Sequence, residues 1–73
     1  MEKYEQLLTS VGRQVKEVRE HFGKTQKELG ELSDSKRTYI TELENGKRNI
    51  GLKKLWRIAE AMDAEVVVII KRK

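Results

Sequence analysis

The chain has 73 residues, no cysteine and a single histidine; a domain of this length buries only roughly 60% of its unfolded surface, and neither disulfides nor zinc are at hand to staple it. Sixteen Lys and Arg against twelve Asp and Glu leave a formal charge of +4, an excess that suits a polyanionic partner without demanding one. The longest apolar run, Val66 to Ile70, falls far short of the roughly 20 residues of a membrane span, and the opening MEKYEQLLTS has no signal-peptide pattern, so the expected site of action is the cytoplasm, away from any membrane.

Apolar residues at Tyr4, Leu7, Leu8, Val11, Val15, Val18 and Phe22 are spaced by threes and fours and predict a first helix, ended at Gly23. The tetrad Thr25-Gln26-Lys27-Glu28 is a capping box, so a second helix is expected from there to about Leu32. Ser33-Asp34-Ser35 is a polar turn in which Asp34 tolerates a left-handed backbone. A third helix follows from about Lys36 to Glu44 and stops at Asn45-Gly46, ahead of a basic loop, Lys47-Arg48-Asn49. Leu52, Leu55, Trp56, Ile58, Ala59 and Met62 predict a fourth amphipathic helix, with Trp56 on its inner face as a core residue. The tail differs in kind. Val66, Val67, Val68, Ile69 and Ile70 are all β-branched, which favours a strand; with no other strand in the chain, this one is expected to pair with the same segment of a second copy. The alternative is a tail packed on its own helices as coil or as an extra helical turn. Residues 1–63 thus read as one helical domain, the candidate for any nucleic-acid contact, and residues 64–73 as a dimerisation strand with a basic end.

The third helix carries the functional signal. A helical projection turns Ile40 and Leu43 inward and Arg37, Thr38, Thr41 and Glu42 outward. In a major groove Arg pairs bidentately with guanine, Thr meets the thymine methyl and Glu accepts from cytosine N4. The same residue types also describe an ordinary solvated helix face. What favours the groove is the company they keep: Gln26 at the positive end of the second helix, and Asn45, Lys47 and Arg48 just past the third, could together neutralise several phosphates. Tyr39, on the flank of the third helix, either covers the edge of the core or bonds a phosphate. Arg19 lies beside the first helix's apolar stripe and wants a carboxylate; Glu44 is the expected partner, with solvent as the alternative. His21 is alone and no glycine-rich phosphate loop is present, so no enzyme, metal or cofactor is expected.

The stretches TQKELGEL (25–32), YITELENGKRN (39–49) and LKKLWRIAEAM (52–62) resemble the Cro/repressor, or XRE, family of helix-turn-helix proteins, and the resemblance covers residues 12 to 62. It implies a mainly α, lambda-repressor-like bundle of four to five helices. It also implies base contacts from Lys36, Arg37, Thr38 and Glu42, phosphate contacts from Gln26 and Asn45, and the Arg19–Glu44 ion pair. The turn departs from the family pattern, with Asp34 for Gly, Ser35 for an apolar residue and Lys36 for a Ser or Thr cap; a cap at Ser35 in place of Lys36 would shift the first base contacts by one residue. The β-branched ending is similar to that of HipB-type antitoxins, which implies paired C-terminal strands in a homodimer and a toxin kinase as protein partner. The expected activity is that of a transcriptional regulator, a repressor by this likeness, binding a palindromic operator on double-stranded DNA as a dimer. A protein-interaction module whose main work is to grip a partner is the competing reading. A nonspecific nucleoid or RNA-binding protein fits less well, given the modest charge and the lack of aromatics on the outer face.

Overall fold

The computed structural model describes residues 3–73, so the first two residues of the expected 1–63 domain lie outside it. Four helices follow one another: α1 (Lys3–Phe22), α2 (Gln26–Leu32), α3 (Arg37–Glu44) and α4 (Leu52–Ala61). The start of α2 is fixed by the capping box. The Glu28 N–H donates to the Thr25 hydroxyl at 3.0 Å, and the Thr25 N–H donates to the Glu28 carboxylate at 2.9 Å. That backbone donor, helped by the hydroxyl, holds the Glu28 carboxyl below the usual carboxylate range.

A carboxyl whose pKa is lowered by folding contributes stability above its unfolded pKa, and the contribution is lost as pH falls through the lower, folded value. Glu28→Gln is therefore expected to melt below the parent at neutral pH, with the difference shrinking on acidification from about pH 5 towards pH 2. Melting curves at three pH values check this; a difference constant with pH would mean that the carboxylate charge plays no part in the cap.

Between α2 and α3 the chain turns through Ser33-Asp34-Ser35-Lys36, and Asp34 takes the left-handed step with φ +56°. The Ser33 hydroxyl donates to the Leu29 carbonyl at 2.7 Å, which closes the end of α2. A Cβ on Gly30 would sit 2.7 Å from the Ser35 carbonyl oxygen, so the turn folds back against α2 as tightly as it does because residue 30 has no side chain. Lys36, and not Ser35, is the N-cap residue of α3, although its side chain makes no cap bond. Of the two registers open at the turn, the structure adopts the one that makes Arg37 the first helical residue.

Each helix contributes to one core. Val15 comes from α1, Leu29 from α2, Ile40 and Leu43 from α3 and Ile58 from α4, with Met62 closing the end; Tyr39, Ile50, Leu55, Ala61 and Ala64 pack on its margin. Ile40 and Leu43, one turn apart, press α3 inward and leave its opposite face free.

Two expectations fail here. The predicted strand over Val66, Val67, Val68, Ile69 and Ile70 is not formed: among the described residues there are helices but no strand, and the last backbone bond in the C-terminal region is Ala64 N–H to the Ala59 carbonyl, at 2.9 Å. A strand needs a second backbone to pair with, and this four-helix chain has none to offer. Nor does the tail pack on its own helices; Val67 to Ile70 are 60–93% exposed. The likeness to the ending of HipB-type antitoxins therefore has no formed strand behind it among the described residues. The second failure is Trp56, which is 52% exposed rather than core. The buried arc of α4 runs through Leu55, Ile58 and Ala59 and on to Met62, while Leu52 and Trp56, one turn apart, lie together on its uncovered edge.

Candidate nucleic-acid interface

The outer face of α3 forms a shallow depression walled by Arg37, Thr38, Thr41 and Glu42. Arg37, Thr38 and Glu42 are exposed and Thr41 is half-buried; Lys36 stands exposed at the helix start beside them. The four outward residues thus share one surface, with donors, acceptors and a methyl group on offer at once. Glu42 is also tied to the loop beyond the helix: Arg48 Nε lies 3.1 Å from its Oε1, in a pair about half exposed on both sides. Such an exposed pair contributes at most about 1 kcal/mol, so it orders the two side chains without locking them away from a ligand.

Behind this face lies a continuous polar chain. Arg19 of α1 is buried and donates twice to Glu44, from Nε to Oε2 at 2.6 Å and from Nη2 to Oε1 at 3.0 Å, while its Nη1 donates to the Lys24 carbonyl at 2.8 Å. Bonding to Glu44 raises the Arg19 pKa against the opposing effect of burial. Glu44 Oε1 also accepts from Gln26 Nε2 at 3.1 Å, and Gln26 Oε1 accepts from the Thr41 hydroxyl at 2.9 Å. The chain therefore runs from α1 through the end of α3 to the start of α2, and back to the outer face of α3. No buried side-chain nitrogen or oxygen among the described residues lacks a partner.

Tyr39 is half-buried and its ring packs on the core margin, where burial raises its pKa against the lowering effect of Arg48. Two cations lie over that ring, Arg48 with its Cζ 4.8 Å and Lys54 with its Nζ 5.1 Å from the centroid. Asn45 caps the end of α3, and it and Lys47 are exposed. Asn49 accepts a hydrogen bond from the Tyr4 hydroxyl, which pins the basic loop to the start of α1.

Lys54 was not anticipated. It sits with Lys53 in the first turn of α4, whose N-cap is Gly51 with no side-chain cap and which has no acidic residue there. Cations at a helix N-terminus oppose the helix dipole, so two lysines at that position cost stability that a bound anion would return. That conflict is visible in the sequence once the helix start is placed. The pairing of Lys54 with Tyr39, fifteen residues away, is not.

Residues 15–69 match a family model of the helix-turn-helix type, HTH_3. In three dimensions the chain is similar to the restriction-modification controller protein C.AhdI from Aeromonas hydrophila, at 31% identity and a TM-score of 0.83, over 88% of this chain and 93% of that one. It is also similar to the clp gene regulator ClgR from C. glutamicum, at 30% identity and a TM-score of 0.81, over 82% of this chain and 77% of the other. No curated protein matches it. No helix among the described residues is long and apolar enough to cross a membrane.

Proposed function

The chain belongs to the XRE family of helix-turn-helix DNA-binding transcriptional regulators, and on that premise we propose that it represses transcription as a homodimer on a palindromic operator, reading bases with α3. The observation that carries this is the outer face of α3, where Arg37, Thr38, Thr41 and Glu42 converge on one depression while Ile40 and Leu43 anchor the opposite face. Lys36, at the helix start, reaches the same groove. Around it, Gln26, Tyr39, Asn45, Lys47, Arg48 and Lys54 supply phosphate contacts that set the register of the helix. The dimer has support in the uncovered apolar residues Val67 to Ile70, an exposed run that water disfavours and a second copy can cover. Two-fold symmetry then places two half-sites about 10 base pairs apart.

Selection of duplexes from a randomised pool tests this, followed by titration of the selected site and a scrambled control at rising salt. A two-fold symmetric site that beats the control about a thousandfold or more supports the reading; equal binding that falls together with salt overturns it in favour of nonspecific attachment. Arg37→Ala is expected to weaken the selected site by about 1–3 kcal/mol per half-site and to relax the preference at one base pair, whereas Lys47→Ala weakens all sites alike and lowers the salt slope by about one. Both effects are read from binding isotherms at two or more salt concentrations.

A further inference from the structure

Thr38 and Thr41 both face outward on α3, yet only Thr41 is held by a defined chain of side chains. The polarity of that chain is fixed by chemistry. The Glu44 carboxylate, occupied by Arg19, can only accept, so the Gln26 amide must turn its nitrogen towards Glu44 and its oxygen away. That oxygen faces Thr41, 2.9 Å from the hydroxyl, and can only accept in turn. The single hydroxyl proton of Thr41 is thereby directed to Gln26, with the Arg37 carbonyl at 3.1 Å as a second acceptor inside the protein. It has no proton left for a base, and its side chain keeps a methyl group for the depression it helps to wall.

We propose that Thr41 is a specificity-determining residue that reads the 5-methyl group of a thymine, and that Gln26 and Glu44 are positioning residues that orient it. The inference rests on the DNA-binding reading above. Thr38, exposed and without such a tether, adds little discrimination at its own position. The Gln26 amide keeps one N–H beyond the one given to Glu44, so the same orientation that directs Thr41 leaves a donor for a phosphate.

The test is a cycle between one methyl on the protein and one on the DNA, measured on the selected duplex. Each thymine of a half-site is replaced in turn by uracil, which removes only the 5-methyl group, and binding is measured for the parent, Thr41→Ser and Gln26→Ala. At one thymine the replacement is expected to weaken the parent about fourfold per half-site, the worth of one buried methyl. Thr41→Ser, which keeps the hydroxyl, is expected to bind the thymine duplex about fourfold more weakly per half-site and to be indifferent to uracil at that position. Gln26→Ala is expected to lose the same uracil sensitivity while melting close to the parent, a separation that a merely structural role would not produce. Uracil sensitivity unchanged in Thr41→Ser at every thymine overturns the proposal. So does a Thr41→Val variant that loses binding where Thr41→Ser does not, since the hydroxyl would then be the reading group. Sensitivity retained in Gln26→Ala removes the positioning role. A chain that selects no site at all fails at the earlier step, on DNA reading itself.

Discussion

Glu44→Ala is expected to lower stability by about 3–5 kcal/mol, the cost of leaving a buried guanidinium without its counter-charge. The Glu44 side chain is 1% exposed and that of Arg19 10%, so water cannot take over the lost bonds. Domains in general hold only about 5–15 kcal/mol, small ones towards the lower end, and in a chain of this size each kcal/mol moves the midpoint by about 4–8 °C. A fall of at least about 12 °C should follow in thermal denaturation; a midpoint within about 4 °C of the parent would mean that the pair is not holding α1 to the end of α3. Stability and reading can then be separated. Arg19→Met combined with Glu44→Leu removes both charges and fills the space with apolar atoms, and such exchanges commonly restore most of the loss. The double variant is expected to fold yet to discriminate poorly among operators, because Gln26 has lost the acceptor that sets its orientation.

The capping box at Thr25, the inward Ile40 and Leu43 and the free face opposite them were legible in the sequence because each depends on neighbours within one or two turns. Asp34 belongs with them: a short polar side chain in a turn between two helices foretells a left-handed residue, and its φ is +56°. Arg19 and Glu44, 25 residues apart, could be matched because a half-buried cation leaves few ways to be satisfied. Trp56 shows where the reasoning stops. Helical spacing sorts residues by angle around an axis, but how wide an arc is covered depends on how much protein lies opposite, and on α4 the small bundle buries only the strip from Leu55 to Met62. The tail failed for a related reason. β-branched residues state a preference for strand, while the pairing that makes a strand lies outside a single copy. The sequence offers Gln26 as a phosphate ligand, but its bonds to Glu44 and Thr41 depend on a meeting of two helices that no local pattern encodes.

Gly12 was equally silent in the sequence, and it sets the second large effect. It is buried in the middle of α1, where helix propensity alone makes Ala better than Gly by about 1 kcal/mol. A Cβ at this position, however, would lie 2.2 Å from the Leu43 carbonyl oxygen and 2.9 Å from that of Glu44, where carbon and oxygen normally keep at least about 3.3 Å. Both obstacles are backbone, so neither can turn aside and α1 must lift from the end of α3. Overpacking of this kind costs about 1–3 kcal/mol and more where backbone must move, so Gly12→Ala is expected to melt below the parent despite the better helix former. Gly51→Ala meets open space but exchanges a favoured N-cap residue for a poor one, so as the control for steric overlap it is expected to cost about 1 kcal/mol at most, less than Gly12→Ala. If Gly12→Ala instead raises the midpoint, helix propensity has won and α1 does not approach α3 so closely. The lifted helix also carries Arg19, two turns further along the same α1, away from Glu44. The costs of Gly12→Ala and Glu44→Ala should therefore overlap, and the double variant should lose less than the sum of the two, as expected for substitutions that break one shared contact.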